Sequence, residues 1–250
     1  MNKVKTGIQG LDEALNGGIP EKNVVLISGG AGTGKSTLCM QFAIEGAKTG
    51  EKAIYISTEQ TLEELQRQAI QYGWDIEGLQ KKNLLRVFHV DILKDDSFFD
   101  AIIQNIREFE PKRVIVDSLT TFSDFAAVTE FSKQLILKRG MSMQVNQTQV
   151  IPATITEKLI TKKLLATLIA NLRQFPATTI LTSELPEKGD TLSSDGISEF
   201  LADGVILLYY WEIGEVEERA MKIRKMRYTG HEKKSLLYDL TVKGIEIKND

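Results

Sequence analysis

The run Val24-Val25-Leu26-Ile27-Ser28 leads directly into Gly29-Gly30-Ala31-Gly32-Thr33-Gly34-Lys35-Ser36-Thr37. An apolar strand, a glycine-rich turn and a helix start, in that order, constrain the fold more than any other stretch of the chain. Such a strand is buried on both faces, and the helix after it must pack back onto the sheet. The spacing is that of G-x-x-x-x-G-K-[ST]. Gly30, Ala31, Gly32, Thr33 and Gly34 let backbone N–H groups surround phosphate oxygens, Lys35 reaches the β- and γ-phosphates, and the Ser36 hydroxyl ligates Mg²⁺. A plain glycine turn with Lys35 as a solvated charge leaves this strand-to-helix setting unexplained. Thr37, beside Ser36, either caps the helix or touches the α-phosphate. The expectation is a chain that binds a nucleoside triphosphate.

Length and composition narrow the class. With 250 residues and 42% hydrophobic content, the chain can bury one large α/β core, and residues 1–250 are read as one domain. Its 31 basic and 34 acidic side chains give a formal charge of −3, so no global field draws it to nucleic acid or an anionic membrane. The single cysteine, Cys39, excludes an internal disulfide and reads as a small buried side chain. Met1-Asn2-Lys3-Val4-Lys5 lacks an apolar targeting core, and no run approaches the ~20 apolar residues of a membrane span. A cytoplasmic location is expected.

Downstream, Leu38, Met40, Phe42, Ala43, Ile44 and Ala47 populate a helix that Gly50 can end before a strand at Ala53-Ile54-Tyr55-Ile56-Ser57. Thr61 and Glu64 have capping-box spacing ahead of the stripe Leu62, Leu65 and Ala69. A further helix starts near Asp96, with Phe99, Ile102, Ile103 and Ile106 facing inward, and is followed by a strand at Arg113–Asp117. Leu159, Ile160, Leu164, Leu165, Leu168, Ile169 and Leu172 mark a long amphipathic helix over Ile155–Phe175, before a strand at Thr179–Leu181. This alternation is that of a mainly parallel sheet. Beyond Gly204 the pattern changes to strands at Val205–Trp211, Ala220–Tyr228, Ser235–Val242 and Ile245–Ile247, an antiparallel extension. Met141–Ile155 contains no charged side chain and suits an insertion, within about residues 125–155, that either forms an extra hairpin or contacts a partner.

Three groups are placed to serve phosphoryl transfer. Asp117 ends an apolar strand, so its carboxylate falls at the sheet edge that carries ligands in open α/β folds and is the candidate to hold Mg²⁺. As an alternative it caps the strand end together with Ser118. Glu59 emerges at the same edge after Ser57 and is the candidate to orient or deprotonate an attacking water; otherwise it is a solvated loop acid. Strand alternation over Met221–Arg227 places Lys225 and Arg227 on one face. Together they would stabilise a γ-phosphate arriving from a neighbouring subunit, or else form a solvated basic edge.

Taken together, Thr6-Gly7-Ile8-Gln9-Gly10-Leu11-Asp12-Glu13, Gly17-Gly18-Ile19-Pro20, the phosphate loop, Tyr55-Ile56-Ser57-Thr58-Glu59-Gln60 and Val114-Ile115-Val116-Asp117-Ser118 resemble the KaiC branch of RecA-type ATPases. Leu207-Leu208-Tyr209-Tyr210-Trp211-Glu212-Ile213 and Lys225-Met226-Arg227-Tyr228-Thr229-Gly230-His231 are similar to KaiC domains as well, so the match spans nearly the whole chain. The resemblance implies a RecA-like fold, ATP with Mg²⁺, and a ring, usually a hexamer, with nucleotide between protomers. It implies that Lys225 and Arg227 reach the phosphate of the next subunit and that Thr229 and His231 lie close to the same nucleotide. Glu59 matches the catalytic glutamate, and Gln60 departs from the frequent Glu-Glu pair. Thr182-Ser183-Glu184 matches the segment that senses nucleotide state.

Circadian KaiC has two such domains and an adjacent Ser-Thr phosphorylation pair, where this chain has one domain and Ser198-Glu199. A clock kinase is not supported, and Ser198 reads as a helix-surface serine rather than a phosphate acceptor. The leading reading is a homo-oligomeric ATPase that signals to a protein partner. The alternatives are a RadB-like recombinase paralogue that binds DNA, disfavoured by the acidic charge, and a FlaH-like scaffold that binds ATP and turns it over slowly, which Gln60 keeps open.

Overall fold

The strand before the glycine loop, β3 (Val24–Gly29), is buried at all six positions and sits inside a nine-stranded sheet. The structure is a computed structural model that describes residues 1–91, 98–121, 153–185, 191–214 and 216–248. Ahead of β3 run β1 (Lys3–Val4), α1 (Leu11–Ala14) and β2 (Ile19–Pro20). After it come α2 (Lys35–Lys48), β4 (Ala53–Ser57), α3 (Leu62–Gln71), α4 (Ile76–Lys81), β5 (Leu85–His89), α5 (Phe98–Phe109) and β6 (Arg113–Asp117). The rest is α6 (Ala153–Leu172), β7 (Thr178–Glu184), α7 (Ser198–Leu201), β8 (Gly204–Ile213), β9 (Val216–Met226), β10 (Leu236–Thr241) and β11 (Gly244–Ile247).

The sheet order is β11-β10-β9-β8-β3-β7-β6-β4-β5. From β8 to β5 every pairing is parallel, while β8–β9, β9–β10 and β10–β11 are antiparallel. The parallel order inserts β6 and β7 between β3 and β4, so the phosphate loop and the ends of β4, β6 and β7 open on one edge. That is where open α/β sheets place their ligands.

Strand alternation divides the core. Val25 and Ile27 of β3, with Ala53 and Tyr55 of β4, face α2, α3 and α4. Val24 and Leu26, with Ile54 and Ile56, face α5 and α6. The capping box of α3 is formed: Glu64 Oε2 accepts from Thr61 N–H at 2.8 Å, and Thr61 Oγ1 accepts from Glu64 N–H at 3.4 Å. In α5 the buried stripe is Phe98, Ile102, Ile106 and Phe109, with Phe99 and Ile103 on its flanks. Asp96, the expected helix start, lies outside the described residues.

Helix α6 starts at Ala153 and ends at Leu172, short of the expected Phe175. Ile160, Leu165, Leu168, Ile169 and Leu172 are buried, but Leu159 is 59% exposed and leaves the expected stripe. It directly precedes Ile160, so the two positions diverge by about a quarter-turn and the core takes Ile160. Strand β9 begins earlier than expected, at Val216, and ends at Met226. Long pairing with β8 extends its start. The uncharged segment from Met141 falls outside the described residues up to position 152, where α6 is about to begin.

Side chains tie the N-terminal segment to this frame. Asp12 Oδ1 accepts from Thr6 N–H at 2.8 Å and from Thr6 Oγ1 at 2.9 Å, which is the physical content of the Thr-Gly…Leu-Asp signature. Arg113, fully buried at the start of β6, donates to Lys5 O, Phe42 O and Glu51, and its guanidinium covers the Phe42 ring.

Candidate nucleotide site

The phosphate loop is held from three sides. Lys35 Nζ donates to Gly29 O at 2.9 Å and Gly30 O at 3.1 Å, so its ammonium lies over the loop. Thr33 Oγ1 donates to Gly30 O at 2.8 Å, and the buried Tyr238 of β10 donates its hydroxyl to Thr33 O at 2.5 Å. Arg219 Nε of β9 reaches Gly32 O at 3.3 Å. Gly34 takes the helix N-cap position with φ of 90°, a left-handed conformation that a Cβ would strain. No side chain caps α2, which leaves its first N–H groups facing the loop.

Thr37 is not the cap. It is the third residue of α2, buried, and accepts from Gln68 Nε2 at 3.5 Å. A capping hydroxyl would occupy the space that an anion needs, and glycine at the N-cap avoids this. Cys39, two residues further along α2, is fully buried as expected, and burial followed by the Asp117 charge pushes its thiol pKa well up.

Asp117 ends β6 between the two strands that flank it. Its Oδ2 accepts from the Tyr55 phenol of β4 at 2.5 Å, and its Oδ1 accepts from Thr182 Oγ1 of β7 at 2.5 Å. Burial and the Asp117 charge raise the Tyr55 pKa well above the ordinary phenol value, while a hydrogen bond from Ser36 acts in the opposite sense. Glu59, exposed just past β4, accepts through Oε1 from Ser118 Oγ and from Thr121 Oγ1, the latter at 2.7 Å. Thr58 fixes that approach through N–H to Asp117 O at 2.8 Å and Oγ1 to Ser118 O at 3.0 Å. Lys35, Ser36, Asp117 and Glu59 thus gather at one edge.

Lys225, Arg227, Thr229 and His231 do not join them. Strand β8 runs parallel to β3 and β9 antiparallel to β8, so Met226 lies beside Gly204, near the start of β3. At about 3.3 Å per residue, the six residues of β3 separate that edge from the phosphate loop by roughly 17 Å. Arg227 lies just beyond the strand, so strict alternation with Lys225 does not set its direction; Asp203 does. Asp203 Oδ1 accepts from Arg227 at 3.0 Å and from Arg173 at 2.9 Å, and Oδ2 accepts from Val24 N–H at 3.1 Å. Lys225 Nζ donates to Ala202 O at 2.6 Å and Glu199 O at 3.2 Å, and burial, then neighbouring Arg227, lowers its pKa. Thr229 Oγ1 accepts from Lys3 Nζ at 2.7 Å, and His231 Nδ1 lies 2.8 Å from Glu232 O.

Ser198 is not a surface serine. It is fully buried and donates its hydroxyl to Asp195 Oδ2 at 2.7 Å, while Glu199 beside it is buried and accepts from Ser193 Oγ. The helix is one turn long and its polar residues turn inward to satisfy the preceding loop. In the Thr182-Ser183-Glu184 segment, Thr182 holds Asp117, Ser183 Oγ accepts from Ser194 N–H at 3.0 Å, and Glu184 N–H donates to Thr120 Oγ1 at 2.9 Å. Sequence reasoning did not single out Tyr55, Arg173 or Asp203. A lone aromatic phenol in the otherwise small and aliphatic Ala53–Ser57 strand and an acid preceding the Gly204 strand are the available signals.

A strand, glycine loop and helix at the open edge of a mainly parallel sheet, with an acid ending a neighbouring strand, define a RecA-type P-loop domain. The KaiC ATPase family model matches residues 4–158 and 141–250, and the chain belongs to that family. A UPF0273 protein of Pyrococcus furiosus is 33% identical over 255 residues, covering 100% of this chain and 95% of that protein. The circadian clock oscillator protein KaiC of Parathermosynechococcus lividus is 29% identical, with 98% of this chain covering 42% of the clock protein. The crystal structure of a KaiC-like protein from Pyrococcus horikoshii is similar at a TM-score of 0.79 and 31% identity, over 99% of both chains. Among the described residues, no helix is long and apolar enough to cross a membrane.

Proposed function

We propose that this chain is a Mg²⁺-dependent ATPase that works as a ring of identical copies, hexameric by resemblance, with each ATP held between two protomers. One observation carries the reading: Lys35, Ser36, Asp117 and Glu59 lie at one edge of the sheet, while Lys225, Arg227 and Thr229 lie at the other. One copy therefore cannot bring both sets to the same phosphate, and a second copy supplies the missing half.

The donor set suits Mg²⁺. Among the described residues there is no cluster of three or more His, Cys, Asp or Glu for a metal held by protein alone. One hydroxyl, Ser36, and one fixed carboxylate, Asp117, match a metal that is otherwise held by water and substrate phosphates. When bound, Mg²⁺ offsets charge on the β- and γ-phosphates.

Lys35 and the α2 N-terminus bind the triphosphate. Glu59 aligns a water and accepts its proton as the water oxygen bonds to the γ-phosphorus; the bond to the β–γ bridging oxygen breaks, and ADP and phosphate leave. Lys225 and Arg227 of the adjoining copy offset the charge on the transferring group, a role that arginine fingers perform at about 10³–10⁵ in rate. The resulting change at each interface alters the assembly that a protein partner reads. Joint assembly of Glu59→Gln and Arg227→Ala protomers tests this, because only mixed interfaces can restore a complete site.

A further inference from the structure

We propose that the Tyr55 hydroxyl is a positioning residue for the metal side of this site, fixing the Asp117 carboxylate from β4; the proposal rests on the Mg²⁺–ATP reading above. Tyr55 is fully buried on the face of β4 that packs against α2, where Ala53 is its partner in the alternation. Packing alone asks only for an apolar ring there. A hydroxyl in that place costs free energy unless it is bonded.

Its bond goes to Asp117 Oδ2 at 2.5 Å. Thr182 holds the other carboxylate oxygen from β7. Asp117 is thereby gripped from both neighbouring strands, and the β4 grip comes from the face that packs against the glycine-loop helix. The phenol O–H donates to the carboxylate and so sets the rotamer of Asp117. Groups that orient ligands in this way typically govern metal affinity by roughly 10- to 100-fold.

Tyr55→Phe keeps the ring and removes this link alone. A fluorescent ATP analogue is titrated onto wild-type and Tyr55→Phe protein in EDTA and across a Mg²⁺ series, with far-UV circular dichroism confirming that both are folded. The proposal expects equal affinity in EDTA and a Mg²⁺ half-saturation at least about 10-fold higher in the variant. A half-saturation within twofold of wild type, or an equal loss of affinity in EDTA and in Mg²⁺, overturns it. If wild-type binding itself does not respond to Mg²⁺, the parent reading falls and takes this one with it. An Asp117→Asn control that raises the half-saturation while Tyr55→Phe does not leaves the parent reading standing and rejects the role of Tyr55.

Discussion

Replacing Asp203 by Asn probes the joint between the core strand and the basic edge. The Asp203 side chain is 9% exposed and accepts from Arg173, Arg227 and the Val24 N–H at once. Asparagine keeps one acceptor oxygen and turns an N–H₂ toward groups that are themselves donors. The two arginines are 40% and 47% exposed, so each lost contact costs no more than about 0.5–1 kcal/mol. A buried donor left unmatched, such as the Val24 N–H, costs about 1–3 kcal/mol. Because the retained oxygen serves either Val24 or the arginines but not both, the expected loss is about 2 kcal/mol. Urea unfolding should show a lower midpoint at unchanged slope, while Arg227→Ala alone should stay within about 1 kcal/mol of wild type. A loss below about 0.5 kcal/mol for Asp203→Asn would instead mean that water or another group satisfies Val24 and both arginines equally well, and that Asp203 is not the joint.

Tyr238→Phe removes the hydrogen bond that holds Thr33 O in the phosphate loop. A loss of about 1 kcal/mol predicts roughly fivefold weaker binding of ATP, measured by calorimetry, with the fold intact. Gly46→Ala would place a Cβ 2.4 Å from Arg113 Cδ and Nε, inside a side chain already committed to Glu51, Lys5 O and Phe42 O. Displacing that guanidinium should cost about 3 kcal/mol in chemical denaturation, although alanine is intrinsically the better helix former.

Where the chain carried its own periodicity, the fold was legible. Ala53–Ser57 and Arg113–Asp117 are continuous apolar runs bounded by turns, and both form strands over those residues. Strand β5 escaped because it is an edge strand, half-buried over four of its five residues and interrupted by Arg86 and His89. Helices α1 and α7 have four residues each, too few to show a period. In the site, Lys35, Ser36, Asp117 and Glu59 were readable because each stands at a fixed offset from a strand end. Tyr55 and Asp203 were not, because their partners Asp117, Arg173 and Val24 come from other strands and helices. Ser198 shows the same limit in reverse: its neighbours suggested a helix surface, and only the fold of the 191–197 loop turned it inward.

The central claim is that one protomer's phosphate loop is completed by the next protomer's Lys225 and Arg227. Its most direct measurement is ATP turnover by co-assembled Glu59→Gln and Arg227→Ala chains, each of which is expected to be inactive alone. A Glu59→Gln protomer still offers Arg227, and an Arg227→Ala protomer still offers Glu59, so mixed interfaces of one polarity hold a complete site. Turnover should rise to a maximum near equal proportions and approach one quarter of the wild-type rate for random mixing around a ring. Turnover that stays at the level of the separate variants at every ratio, in assemblies shown to contain both chains, would contradict it.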